Sequence, residues 1–137
     1  MEITFESLQE KHFSLLLKWL EASHVKKWWD SGITWTSELI KEKYTEYTQG
    51  YKIEGGVRRP VSAYIIYVEN IPVGYIQLYN AYDFARSEEL LGLPESLAAV
   101  DIFIGETDYV SRGIGTIGLP TRIGAPPEIS VLRLRKA

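Results

Sequence analysis

The sequence predicts an α+β fold, a layered domain in which a mostly antiparallel sheet carries two N-terminal helices. Three observations predict it. Apolar residues recur at helical spacing in two early segments, within residues 9–22 and 36–49. Four runs rich in β-branched or aromatic residues, 3–8, 63–68, 73–79 and 98–105, have the character of strands. Finally, the link Glu69-Asn70-Ile71-Pro72 is so short that the strands on either side of it must form an antiparallel hairpin. With 137 residues, 45% hydrophobic and 24% charged, the chain suits one domain with a real core and does not have the make-up of a disordered segment.

Each element has its own signal. Residues 3–8 alternate apolar and polar, the period of a half-buried strand. Phe13, Leu16, Leu17 and Leu20 fall at i, i+3, i+4 and i+7, which puts them on one face of a helix running from about Gln9 to Ala22. Ser23-His24 breaks that run, and VKKWWD follows. A second helix starts at Thr36 as N-cap, with Trp35 placed to staple onto Ile40. Ile40, Tyr44 and Tyr47 continue its apolar stripe, and Gly50 is its terminator. The hairpin strands come next, then an irregular segment over 83–96 with Glu88, Glu89 and Glu95, and then the strand AAVDIFIG.

Composition excludes several function classes. A net charge of −3 gives no basic stripe for nucleic acid, and Lys26-Lys27 and the basic cluster over 133–136 read as solvated surface. There is no cysteine, so neither disulfides nor thiolate chemistry are available, and with only two histidines no metal site is expected. The acidic start MEITFESLQE is unlike a secretory leader, and no apolar run reaches membrane-spanning length. The expectation is a cytoplasmic protein without membrane or nucleic-acid partners.

The chemistry-bearing stretch is VSRGIGTIGLP, residues 110–120. Gly113 to Gly118 spells G-x-G-x-x-G, but a dinucleotide fold needs a strand immediately before it, a helix after it and an acid about 20 residues on. Here Pro120 and Pro126-Pro127 block the helix, because each internal proline costs about 3 kcal/mol, and Glu128 comes too soon. A different phosphate loop fits better, one in which a strand runs into Arg-Gly-Ile-Gly-Thr and successive amides face a pyrophosphate. That loop resembles motif A of the GNAT N-acetyltransferases, with Val110 in place of the usual first Gln or Arg. WLEASHVKKWWD (19–30), IPVGYIQLYNAYDF (71–84) and VDIFIG (100–105) are similar, in the same order, to the aminoglycoside 6′-N-acetyltransferase branch of that family. The resemblance covers residues 3–116 and implies the N-terminal part of a GNAT fold.

By this resemblance the chain is an acetyl-CoA-dependent enzyme that acetylates a primary amine of a small molecule such as an aminoglycoside. Asp101 matches the carboxylate that faces the amine. Its chemistry suits the role independently, since a carboxylate between Val100 and Ile102 can hold a cationic amine and take its proton. The alternative is an Asp on the exposed face of an edge strand. The resemblance further implies that the main chain at Phe103 and Ile104 meets the pantetheine arm or the thioester carbonyl. Arg112, Gly113, Ile114, Gly115 and Thr116 would hold the pyrophosphate, although the same glycines suit a plain turn. Trp28, Trp29 and Asp30 resemble the substrate wall, with Gln77 and Tyr79 facing them. Core packing is the competing role for the tryptophans, which as neighbours cannot both point inward from a regular helix. His24 reads as a helix-end or packing histidine, and the glutamates of 83–96 read equally as a lure for cations or a solvated loop.

Residues 117–137 match nothing in the family pattern and contain no tyrosine, so the family's general acid has no counterpart there. The expected organisation is a partial acetyltransferase domain over 1–116 and a non-matching tail over 117–137, truncated or frameshifted. The rival to a frameshift is a genuine short protein whose C-terminal strand, over 129–134, replaces the lost layer or pairs with another chain. A rival expectation is an inactive remnant that binds ligand weakly or self-associates through exposed sheet edges.

Overall fold

The computed structural model describes residues 2–80, 83, 97–109 and 130–135. The element order is β1 (Ile3–Ser7), a 3₁₀ turn (Glu10–His12), α1 (Phe13–Leu20), α2 (Ser23–Lys26), α3 (Ser37–Thr48), β2 (Tyr51–Glu54), β3 (Val57–Val68), β4 (Ile71–Asn80), β5 (Leu97–Ile104), a 3₁₀ turn (Thr107–Tyr109) and β6 (Ser130–Arg135). Among the described residues the strands form one sheet in the order β1-β3-β4-β5-β6, with β2 paired to the beginning of β3. The neighbours β1–β3, β2–β3, β3–β4 and β4–β5 are antiparallel, and β5–β6 is parallel. The α+β class is as the sequence predicts. The final strand takes its place in this sheet beside β5.

The first helix is shorter than its periodicity suggests. His12 is the reason: its side chain bonds locally, so the chain enters α1 through a 3₁₀ turn. The Gln9 N–H donates to His12 Nδ1 at 3.0 Å, which leaves the ring proton on Nε2, and that nitrogen lies 2.8 Å from Glu6 Oε1. Tyr67 OH donates to the same carboxylate oxygen at 2.9 Å, tying β1 to β3 beneath the helix. Leu16 and Leu20 bury completely, as their spacing predicts, and Trp19 joins them.

Helix α3 follows its sequence signals closely. Thr36 Oγ1 accepts from the Leu39 N–H at 3.2 Å, Trp35 and Ile40 enter the same buried cluster, and Gly50 takes φ +88° just past the end. Thr36→Ala should cost about 1 kcal/mol in urea unfolding. A loss below a few tenths would show that the cap does not hold the helix start.

Two hairpins shape the sheet. In the first, Gly55 (φ +59°) and Gly56 (φ +81°) make the turn between β2 and β3, where positive φ at both positions suits the twist of the strands. This hairpin extends β3 back to Val57, well before the start expected from residues 63–68. In the second, the turn is tighter than the four residues expected, because Glu69 (φ 49°) and Asn70 (φ 67°) supply it alone.

The sheet separates two apolar layers. On the helix side Val61, Ala63, Ile65, Tyr75 and Phe103 pack with Leu16, Trp19, Leu20, Trp29, Ile40, Tyr44 and others. The opposite face gathers Ile66, Val68, Ile76, Val100, Ile102 and Ile104. Strand alternation therefore turns Asp101 to the helix side, away from Val100 and Ile102.

Candidate active site

Asp101 stands on β5 between β4 and β6, 2% exposed. The exposed-edge alternative is thereby corrected: β6 pairs alongside as far as Asp101, and the helical layer covers the face to which Asp101 turns. A buried carboxylate must be hydrogen-bonded to be stable. Asp101 Oδ2 accepts from Gln77 Nε2 at 3.1 Å and from Tyr79 OH at 2.8 Å. Antiparallel register explains the meeting, since Gln77 lies directly opposite Asp101 and Tyr79 is two residues along the same face. Tyr75 OH donates to Gln77 Oε1 at 2.7 Å, and this holds the amide with its N–H₂ toward Asp101.

The adjacent tryptophans separate. Trp29 is buried, edge-on to Phe103 at 5.0 Å and to Tyr75 at 6.0 Å, whereas Trp28 is 63% exposed beneath the Lys27 ammonium. Trp29 therefore forms the floor beneath β4 and β5, and Trp28 stands on the surface. Asp30, in the left-handed region at φ 48°, pairs with Lys43 of α3 at 3.0 Å. The Lys43 ammonium also lies over the rings of Trp35 and Tyr44, at 5.4 and 5.2 Å.

Three further tyrosines surround this group without being singled out by the sequence reading. Burial pushes the Tyr44 and Tyr75 phenols well above their ordinary value, and both remain neutral through the physiological range. Tyr47 is raised first by burial and then by the negative charges of Asp30 and Asp101, which places its phenol in the field of both carboxylates. Tyr75 had a signal available, because it shares strand parity with Gln77 and Tyr79. Tyr44 and Tyr47 registered only as the apolar stripe of a helix.

At the end of β5 the chain is held from the helical layer. His24 Nε2 donates to the Ile104 carbonyl at 2.9 Å, and the Gly105 and Glu106 amides both donate to Val73 O, at 2.7 and 3.2 Å. Glu106 Oε2 accepts from Lys18 Nζ at 2.9 Å and Trp19 Nε1 at 2.7 Å. The lysine first, and then the indole N–H, hold the Glu106 carboxyl below the ordinary glutamate range. A depressed carboxyl stabilises the fold at neutral pH, and that contribution fades as pH falls through the folded-state value. Unfolding free energies of Glu106→Gln and the parent chain should therefore converge as pH is lowered through the acidic range. A difference that stays constant with pH would refute the linkage.

Asp101, Gln77, Tyr79, Trp29 and Asp30 are thus gathered on one side of the sheet, with Phe103 two residues beyond Asp101 on the same face. Arg112, Gly113, Ile114, Gly115 and Thr116 lie outside the described residues, as do Glu88, Glu89 and Glu95. Residues 9–123 match the family model of the acetyltransferase (GNAT) domain. The chain belongs to the GNAT acetyltransferase family. This acetyltransferase chain is 21% identical over 114 residues to aminoglycoside N(6′)-acetyltransferase type 1 of Klebsiella pneumoniae and equally to that of Serratia marcescens. The alignment covers 83% of the chain and 54% of each relative, so the GNAT chain spans about half the length of the curated relatives it matches.

Among solved structures, its fold is similar to that of aminoglycoside acetyltransferase AAC(6′)-Ib in complex with coenzyme A. The TM-score is 0.68 at 22% identity, over 90% of this chain and 66% of that one. The same enzyme with ribostamycin and coenzyme A gives a TM-score of 0.70 at 20% identity, with the same coverage. An uncharacterised protein of Bacillus halodurans gives 0.64 at 14%, covering 81% of this chain and 52% of that one. These likenesses establish the fold of the acetyltransferase domain. Among the described residues, no helix is long and apolar enough to cross a membrane.

Proposed function

We propose that this GNAT domain transfers an acetyl group from acetyl-CoA to a primary amine of a small molecule, with an aminoglycoside-type amine as the leading substrate class. The observation that carries the reading is the Asp101 carboxylate, buried at the centre of β5 and oriented through Gln77 and Tyr79. In the low dielectric of this site a carboxylate attracts an ammonium group more strongly than in water, and it can receive the proton the amine sheds on attack. Asp30 stands on the same side of the sheet with its charge shared by Lys43, and Trp28 offers an exposed aromatic face to the substrate.

The cosubstrate is assigned to the end of β5. Because the Gly105 N–H turns to Val73 of β4, alternation turns the main chain of Ile104 to the opposite edge, where a pantetheine arm or thioester can meet it. The pyrophosphate is assigned to Arg112–Thr116. The relatives' printed names support the amine class: structures of AAC(6′)-Ib hold paromomycin or ribostamycin together with acetyl-CoA or coenzyme A. Calorimetric titration of the chain with acetyl-CoA, followed by thiol-release assays over a panel of amines, tests the proposal. Binding and turnover with an amino-sugar are expected, and no heat at millimolar acetyl-CoA would overturn it.

A further inference from the structure

We infer that His24 is a positioning residue that aims the Ile104 N–H at the acetyl carbonyl. The inference rests on the cosubstrate assignment above. It starts from a mismatch that strand geometry creates. Residues 105, 103 and 101 of this segment turn their main-chain groups to β4, so Ile104 turns both its N–H and its C=O to the other edge. Among the described residues, β6 follows that edge only to Asp101, paired with Arg135. The Ile104 carbonyl is therefore an acceptor lying just beside the donor that a thioester oxygen needs.

His24 Nε2 takes that acceptor at 2.9 Å. A carbonyl only accepts, so the proton sits on Nε2 and the ring acts as donor. One polar group of Ile104 is thereby held by the helical layer while its partner on the same residue is directed outward. The surroundings keep this arrangement stiff. Trp19 lies where a Cβ on Gly105 would stand, so the chain cannot relax toward the helix side. The Gly105 and Glu106 amides converge on Val73 O, and Glu106 is held by Lys18 and Trp19. The charged group facing His24 from this cluster is Glu106, whose carboxyl feels the imidazole and is itself paired with Lys18. A preorganised donor works only while its direction is fixed, and a small misplacement there weakens catalysis steeply. In this reading His24 does not touch the reacting atoms. It acts through the Ile104 main chain, by fixing the peptide unit that follows the one carrying the Ile104 N–H.

The test separates aiming from simple folding by using two ligands that differ at the carbonyl alone, acetyl-CoA and S-ethyl-CoA. S-ethyl-CoA carries a methylene where acetyl-CoA carries the thioester carbonyl, and without an amine neither is consumed. Dissociation constants for both are measured by calorimetry on the full chain, His24→Gln and His24→Phe. Glutamine keeps an N–H donor at comparable reach, whereas phenylalanine keeps the ring volume without one. The preference for acetyl-CoA over S-ethyl-CoA should fall about fivefold in His24→Phe, the worth of one neutral hydrogen bond, and return in His24→Gln. If His24→Phe fails to fold, His24→Asn, too short to reach the carbonyl, should show the same fall. Equal weakening for both probes would mean that His24 only supports the fold, and would overturn the inference while leaving the acetyltransferase reading intact. Failure of the parent chain to bind either probe would overturn both.

Discussion

Replacing Asp101 with Asn should lower kcat for amine acetylation by about a hundredfold to ten-thousandfold, the usual worth of a positioned base. Coenzyme A affinity should change by less than about fivefold, because a single neutral hydrogen bond is the most that a polar isostere disturbs. Asn can keep one hydrogen bond from Tyr79 OH or Gln77 Nε2, so the fold should survive. Binding and rate thus separate in this variant. Steady-state kinetics and calorimetry on the same preparation check it. Equal losses in turnover and in coenzyme affinity would show that Asp101 shapes the sheet and does not take the proton.

The second large effect concerns the tryptophan pair. Trp29→Ala should destabilise the chain by about 3–5 kcal/mol, since it empties a buried site edge-on to Phe103 and Tyr75. That is a large share of the 5–15 kcal/mol that holds a typical domain. Trp28→Ala, one residue earlier and 63% exposed, should change stability by about 0.5 kcal/mol or less. Its effect should instead fall on the KM for the amine. Urea unfolding of the two variants side by side is decisive. Similar destabilisation by both would mean that the segment after α2 does not pack as described.

How much of this was legible beforehand depends on the range of the interaction involved. Elements governed by neighbours along the chain read well. Thr36, Ile40, Tyr44, Tyr47 and Gly50 are helix signals within a few residues of one another, and the structure places each in the expected role. The Gly55-Gly56 turn was equally local and was missed. It joins β2 to the first third of β3, and a Gly-Gly pair between Ile53 and Val57 is a hairpin signal in its own right. The split of the first helix was harder to foresee. It depends on the Gln9 N–H closing onto His12 Nδ1 while the other ring nitrogen is held by Glu6 and by Tyr67, which lies 55 residues away.

The site shows the same division. Resemblance pointed to Asp101, Gln77, Tyr79, Trp29 and Asp30, and the fold gathers them on one side of the sheet. Composition and periodicity by themselves could not have chosen Asp101 over an acid on an exposed edge, because alternation states which face a residue takes but not what covers that face. His24 illustrates the limit from the other side. Its neighbours in sequence indicate a helix end, and its partner is a main-chain carbonyl 80 residues on.

The sequence by itself determined the order and type of most elements, the two helical stripes, the antiparallel hairpin and the family pattern from the tryptophan pair to the strand of Asp101. Those rest on contacts between residues close along the chain, where spacing alone sets the geometry. Only the tertiary structure decided that Asp101 is buried and doubly hydrogen-bonded, that Trp29 turns inward while Trp28 stays out, and that the final strand runs parallel beside β5. Each of those outcomes depends on cross-strand register and on helix-to-sheet packing, which bring together residues that no local pattern relates.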